Sequence, residues 1–266
     1  MTATVNGVRL TYSDIGSGVP LLCLHGGMGV DASALHVPGI LDLAKRGVRV
    51  IIPDQRGHGQ SERSSSSDYS HGTWATDAHV LTEGLGVSRF ALLGHSYGGF
   101  LALEYAKRWP ESLTHLILVA TSAGPVSVRA ASVSTDADLR EYFRSVWPRF
   151  FAGDNKYWPV FETLQFAADP YNAAFRRELP LYDVREHALR LHVPTLLIVG
   201  NGDPYCAHME WLAEHMPNAT LCVLDGVGHF PFIEAAEQFT QTVAAFVNSD
   251  DQCRPTAAAP DGRVRS

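Results

Sequence analysis

The chain has 266 residues, of which 45% are hydrophobic and 18% are charged, and its formal net charge is -7. This length suits one large α/β domain or two ordinary domains, and either would bury a full core. The acidic balance and the lack of Lys- and Arg-rich runs exclude nucleic acid and an anionic membrane surface as expected partners.

The first ten residues, MTATVNGVRL, do not have the basic stretch and apolar stretch of a secretory signal. We therefore expect a cytoplasmic protein. The four cysteines lack C-x-x-C spacing, and Cys23 and Cys222 lie in apolar runs typical of buried strands. No set of His, Asp and Glu residues has metal-ligand spacing, so neither a metal nor a cofactor is expected.

Seven short apolar runs recur along the chain, at residues 8–15, 20–26, 48–54, 89–95, 113–120, 194–203 and 220–226. Five of them are almost continuously apolar, which is typical of parallel strands covered on both faces. The first run and the residues before it alternate in polarity around Asn6-Gly7, a pair that favours a tight turn. The start of the chain therefore predicts an antiparallel hairpin at the edge of the sheet.

Helix-period stretches lie between these runs. Apolar residues at Trp74, Ala78, Leu81 and Leu85 have helical spacing, and a second helical run follows Gly98 until Pro110. Alternating strands and helices predict an α/β fold, a mostly parallel and doubly wound sheet of about eight strands. Such sheets bind ligands at the carboxyl ends of their strands.

The alternation breaks in residues 122–190, which contain no strand-like run. This segment holds almost half of the aromatic residues of the chain and several helix-breaking prolines. We interpret it as a helical lid, or cap, over an apolar cavity. The core is then formed by residues 1–121 and 191–248, and residues 249–266, rich in turn formers, are expected to be a flexible tail.

Ser96 is the strongest candidate for a nucleophile. It is the central residue of Gly94-His95-Ser96-Tyr97-Gly98, a G-x-S-x-G pattern that follows an expected strand and precedes an expected helix. Small neighbours allow the strained turn that exposes the hydroxyl, and a helix N-terminus favours developing negative charge.

A serine needs a base and an acid that orients the base, and with this motif the chain order is Ser, acid, His. His229 is the last histidine of the chain and follows the last expected strand on a glycine-rich loop. Asp203 follows the strand before that one, and the interval to His229 holds one helix and one strand. Asp225, at the end of the next strand, is the alternative acid.

An oxyanion needs two preorganised donors. We expect the backbone N–H of Tyr97 to be one of them and Gly27, in the HGGMG loop, to supply the other, with Met28 as the next choice. His25 is expected to brace this loop. Loop and lid residues supply the candidate substrate contacts, which are Met28, Tyr142, Trp147, Trp158 and Phe230.

Five motifs in order, HGGMG, DQRGHGQS, GHSYGG, GNGD and GHFPF, resemble the α/β-hydrolase superfamily across residues 1–248. The resemblance implies the α/β-hydrolase fold, a triad of Ser96, Asp203 and His229, and an oxyanion hole at Gly27 and Tyr97. The first two motifs look most like those of proline iminopeptidases. The short lid, in contrast, resembles that of small carboxylesterases and lactonases, including hydrolases of acyl-homoserine lactones.

Nine acidic and nine basic residues cancel within residues 122–190. A neutral, aromatic lid suits an uncharged apolar ester or lactone, or a small amide, better than a peptide N-terminus. We therefore expect a serine hydrolase of small-molecule esters that works through an acyl-enzyme. The alternatives are a proline iminopeptidase-type aminopeptidase, a ligand receptor of the same fold with weak hydrolysis, and a C–C bond hydrolase or cofactor-free dioxygenase. The sequence does not determine the oligomeric state.

Overall fold

A computed structural model describes residues 1–126 and 131–249, so the predicted tail lies outside the described residues from position 250 onward. In this part of the chain one sheet has eight strands in the order β1-β2-β4-β3-β5-β6-β7-β8. The strands are β1 (Thr2–Val5), β2 (Val8–Ile15), β3 (Val19–Leu24), β4 (Val48–Pro53), β5 (Phe90–His95), β6 (Leu113–Val119), β7 (Thr195–Gly200) and β8 (Ala219–Leu224). The predicted doubly wound sheet is confirmed.

The predicted edge hairpin is also confirmed. Strands β1 and β2 pair antiparallel, β2 pairs antiparallel with β4, and the remaining neighbours are parallel. Asn6 and Gly7 both have positive φ, at 47° and 78°. This is the backbone that a two-residue type I′ turn requires, and its twist matches the flanking strands.

Ten α-helices lie within the described residues. They are α1 (Pro38–Leu41), α2 (His71–Gly84), α3 (Tyr97–Arg108), α4 (Asp136–Val146), α5 (Trp158–Thr163), α6 (Ala168–Ala173), α7 (Arg185–Ala188), α8 (Cys206–His215), α9 (Pro231–Glu234) and α10 (Ala236–Val247). The helix predicted from the spacing of Trp74 to Leu85 is α2, and the helix predicted after Gly98 is α3.

Both faces of the sheet are covered, which explains why its central strands are apolar without alternation. In β3, Leu22 and Leu24 pack into a cluster with side chains of α2, α3 and α8. Leu21 and Cys23 point to the other face and pack with side chains of α1 and α10. All six residues of β5 and all six of β7 are buried.

The described residues between β6 and β7 contain helices α4 to α7, which loops and short helical turns connect, and none of the eight strands. Helix α4 begins with a capping box, in which Thr135 Oγ1 accepts the Asp138 N–H and the Asp138 carboxylate accepts the Thr135 N–H. The segment is joined to the loop after β3, because the Ala167 N–H donates to the Gly29 carbonyl at 2.8 Å. It therefore lies at the carboxyl edge of the sheet.

Candidate active site

Ser96 lies on a tight turn between β5 and α3. Its φ of 53° and ψ of -117° are outside the regions that L-residues ordinarily adopt. A Cβ at Gly98 would lie 2.2 Å from the Leu24 carbonyl oxygen, and one at Gly94 would lie 2.3 Å from the Gly98 carbonyl oxygen. The glycines are therefore required by the close approach of strand, turn and helix.

The turn is held in its strained conformation by hydrogen bonds of the serine backbone. The Ser96 N–H donates to the Val119 carbonyl at 2.8 Å, and the Ser96 carbonyl accepts from the Thr121 hydroxyl at 2.8 Å. Both partners belong to the end of β6 and the residues after it. The neighbouring strand thus fixes where the Ser96 hydroxyl projects.

His229 and Asp203 form a buried hydrogen-bonded pair. His229 Nδ1 lies 2.5 Å from Asp203 Oδ2, and the two side chains are 7% and 0% exposed. Asp203 follows β7, and its other carboxylate oxygen accepts the Tyr205 N–H at 2.6 Å. Asp225, the alternative acid, instead accepts a hydrogen bond from Asn201 Nδ2 at an exposed position.

The environment of Asp203 favours its charged form. Burial by itself would raise the pKa of this carboxyl, but the His229 imidazole and the Tyr205 N–H stabilise the charge and the pKa is lowered. Two aromatic rings pack almost parallel to the His229 ring, Phe150 at 28° and Tyr205 at 30°. The imidazole is therefore restrained by the carboxylate and by flat apolar surfaces.

The residue before Ser96 is in contact with the His229 loop. His95 Nε2 donates to the His229 carbonyl oxygen at 2.8 Å. Burial, together with the nearby His229, lowers the pKa of His95 to about 3, so its ring stays neutral at ordinary pH. Nothing in the sequence points to a role for His95, because only the fold brings it against the His229 loop.

The glycine loop after β3 passes directly beside Ser96. A Cβ at Gly26 would lie 2.9 Å from Ser96 Cβ, and Gly27 has a φ of 124°, a conformation that favours glycine. Tyr97 is the first residue of α3, where a helix leaves its N–H groups without intrahelical partners. The Tyr97 hydroxyl lies 2.7 Å from His71 Nε2, which anchors this residue on its other side.

Two buried histidines brace this loop. His25 Nε2 accepts the Gln55 N–H at 3.1 Å, so its Nδ1 carries the proton and donates to the Gly26 carbonyl at 2.9 Å. His58 Nε2 likewise accepts the Gly29 N–H at 2.9 Å. Burial lowers the pKa of both histidines and keeps them neutral, which lets one nitrogen of each ring accept. The expected bracing role of His25 is confirmed.

A cavity of about 300 Å³ lies between the sheet edge and the inserted segment. Its wall includes Ser96, His229 and Gly27, so the cavity brings the predicted nucleophile, base and glycine loop together. The remaining lining side chains are mostly apolar, among them Val30, Ala34, Leu35, Phe143, Val146, Phe150, Leu164, Tyr171, Phe175 and Tyr205. Among the described hydrogen bonds, none joins the Ser96 hydroxyl to His229, and such bonds often tighten only with substrate bound.

The cavity separates the five predicted substrate contacts into two groups. Tyr142, Trp147 and Phe230 line it. Met28 does not, because its side chain is fully buried in the core on the α2–α3 face of the sheet. Trp158 does not either, because this residue is 38% exposed and its ring packs under the guanidinium of Arg144. The prediction was wrong for these two residues.

Two residues that sequence reasoning missed, Phe150 and Tyr205, pack on the imidazole of His229 and line the cavity. Tyr205 could have been suspected from its place two residues after Asp203 at a strand end. Nothing in the sequence distinguishes Phe150 from the other aromatic residues of its segment.

Two further observations concern metals and membranes. Among the described residues, no three His, Cys, Asp or Glu side chains form a group that could hold a metal ion. No helix in the same part of the chain is long and apolar enough to cross a membrane.

Comparisons with known proteins agree with this fold. The model of the alpha/beta hydrolase family matches residues 21–242. The 2-hydroxymuconate semialdehyde hydrolase of Pseudomonas sp. (strain CF600) is 31% identical over 274 residues, which cover 92% of this chain and 92% of that protein. An esterase from Exiguobacterium antarcticum has a TM-score of 0.81 at 25% identity, over 94% of this chain and 99% of that one. The enol-lactonase from Burkholderia xenovorans LB400 has a TM-score of 0.80 at 26% identity, over 93% of this chain and 99% of that one. The chain therefore belongs to the α/β-hydrolase family.

Proposed function

We propose that the protein is a serine hydrolase that cleaves carboxylic esters, including lactones, through an acyl-enzyme. The observation that carries the proposal is one cavity whose wall includes both Ser96, on its strained turn, and His229, which is hydrogen-bonded to the buried Asp203. A serine on such a turn, a base and an orienting carboxylate are the parts that acyl transfer needs.

In the proposed reaction His229 takes the proton of the Ser96 hydroxyl while its oxygen attacks the ester carbonyl. The oxyanion of the tetrahedral intermediate accepts hydrogen bonds from the backbone N–H groups of Gly27 and Tyr97. His229 then gives the proton to the leaving alcohol, and the acyl group stays on Ser96. Water, deprotonated by His229, releases the acid, and the proton returns to Ser96.

The substrate class follows from the cavity. Its mostly apolar wall and its size of about 300 Å³ favour an uncharged acyl or aryl ester or a lactone of modest size. The similarity to an esterase and an enol-lactonase supports this class. We further propose that residues 122–190 act as a cap over the cavity, because Tyr142, Trp147 and Phe150 of this segment form part of its wall.

The decisive experiment compares wild-type protein with Ser96→Ala on p-nitrophenyl esters. We expect steady turnover and an initial burst in the wild type and the loss of both in the variant, with an unchanged melting temperature. Full turnover by Ser96→Ala would overturn the proposal. Wild-type kinetics that stop after about one equivalent would favour a ligand receptor, because the acyl-enzyme would then not be released.

A substrate panel separates the bond types. It contains acyl esters of several chain lengths, acyl-homoserine lactones, prolyl-naphthylamide and 2-hydroxymuconate semialdehyde, the last because a hydrolase of that name is 31% identical. We expect the highest kcat/KM with an ester or a lactone. A preference for prolyl-naphthylamide would assign an aminopeptidase, and a preference for 2-hydroxymuconate semialdehyde would assign the activity named for that relative.

A further inference from the structure

Glu234, the last residue of α9, joins the loop of the proposed base to the inserted segment. One carboxylate oxygen accepts the Gly228 N–H at 2.8 Å, and the other accepts the Ala152 N–H at 3.0 Å. Gly228 is the residue before His229, whereas Ala152 belongs to the inserted segment. The carboxylate therefore bridges two stretches of backbone that are 76 positions apart in the chain.

The stretch that Glu234 fixes, residues 150–152, is in direct contact with His229. The His229 N–H donates to the Phe150 carbonyl at 2.6 Å, and the Phe150 ring packs almost parallel to the imidazole. A Cβ at Gly228 would lie 2.4 Å from the same Phe150 carbonyl oxygen. The backbone on each side of this contact is thus held by one Glu234 oxygen.

We propose that Glu234 is a positioning residue, which holds the backbone of His229 against residues 150–152 and so couples the place of the base to the inserted segment. This inference rests on the proposed function, in which His229 is the base. A carboxylate is required because it offers an acceptor to each N–H. Gln in its place presents an NH₂ group to one of the two donors, so one of the two hydrogen bonds is lost.

The test compares Glu234→Gln with the control variant Glu237→Gln. Glu237 lies three residues further on, in α10, and its exposed carboxylate is paired with Arg46. We expect kcat on a p-nitrophenyl ester to fall about 10- to 100-fold in Glu234→Gln, because a displaced base costs alignment in the transition state. KM should change by less than about twofold. Glu237→Gln should keep both values.

A second readout does not depend on turnover. The Nδ1 proton of the His229–Asp203 hydrogen bond should give a low-field proton NMR signal, which Glu234→Gln shifts or broadens and Glu237→Gln leaves in place. If Glu234→Gln does not fold, Glu234→Asp replaces it, since the shorter side chain cannot reach both N–H groups. The same loss in kcat and the same change in the signal are then expected.

The outcomes distinguish the two proposals. If the wild type hydrolyses no ester but the Glu234 variant still moves the low-field signal, the proposed function is wrong and the positioning role stands. If the wild type is active and the Glu234 variant matches Glu237→Gln in both kcat and the signal, the positioning role is wrong. A drop in melting temperature without either change also overturns it, because it would reduce Glu234 to a structural role.

Discussion

His229 Nδ1 and Asp203 Oδ2 lie 2.5 Å apart, although 26 positions separate the two residues in the chain. The interval contains α8 and β8, so the pair forms because two neighbouring parallel strands end at the same edge of the sheet. The carboxylate holds the Nδ1 proton of the imidazole, and this leaves Nε2 as the atom that can accept a proton from a serine.

Asp203→Asn should lower kcat on a p-nitrophenyl ester by about 10⁴-fold, because an amide cannot favour the same tautomer and charge of the base. Steady-state kinetics measure the loss. Asp225→Asn is the matched control, since Asp225 is exposed and hydrogen-bonded to Asn201. The assignment of the acid would be reversed if the Asp225 variant lost activity and the Asp203 variant did not.

The free energy of unfolding should fall in mild acid. Burial lowers the pKa of His71 to about 4 and that of His95 to about 3, and it also lowers the pKa values of His25 and His58. In the unfolded chain these rings take up protons near pH 6.5. The stability that the neutral rings contribute is therefore present above about pH 6.5 and is lost as the pH falls toward their native pKa values.

Urea unfolding at pH 7.5, 6.5 and 5.5 measures this dependence. Each buried neutral histidine contributes a slope of about 1.4 kcal/mol per pH unit below its unfolded pKa. His71→Gln should flatten the slope by that amount. A free energy of unfolding that is constant from pH 7.5 to 5.5 would contradict the expectation.

Two glycine-to-alanine substitutions in helices should have opposite effects on stability. Gly98→Ala places a Cβ 2.2 Å from the Leu24 carbonyl oxygen and should destabilise the protein by about 1–3 kcal/mol or prevent folding. Gly84→Ala, at the exposed end of α2, meets nothing within 4 Å and should stabilise it by up to about 1 kcal/mol. The melting temperatures of the two variants measure these effects. Equal shifts would be inconsistent with the tight packing of the serine turn.

Ala34→Leu should shorten the acyl chains that the enzyme accepts. Ala34 lines the cavity, so the added side chain takes up part of its volume of about 300 Å³. We expect kcat/KM for octanoyl esters to fall at least about 10-fold, while acetyl esters change little. Ala207→Leu, on the exposed side of α8, controls for the substitution itself. An equal loss for both chain lengths would indicate that Ala34 does not contact the acyl group.

The sequence by itself determined the sheet and the chain order of the three proposed catalytic residues. Most of the near-continuous apolar runs became buried strands, because parallel strands covered on both faces tolerate few polar side chains. The run at residues 220–226 became the edge strand β8, in which only Leu224 is buried. The strained turn at Ser96 could be predicted because such a turn needs small neighbouring residues such as glycine. The His229–Asp203 pair was found because strand ends and chain order leave few candidates.

Only the tertiary structure decided which aromatic side chains line the cavity. The sequence could not separate Phe150, which packs on His229, from Trp158, which is 38% exposed, because both lie in the same aromatic-rich segment. Their orientation depends on how that segment sits on the sheet edge, and long-range bonds such as Ala167 to Gly29 fix this placement. Local periodicity carries no information on contacts of this kind. For the same reason, the sequence could not show that Met28 lies outside the cavity wall or that Glu234 bridges Gly228 and Ala152.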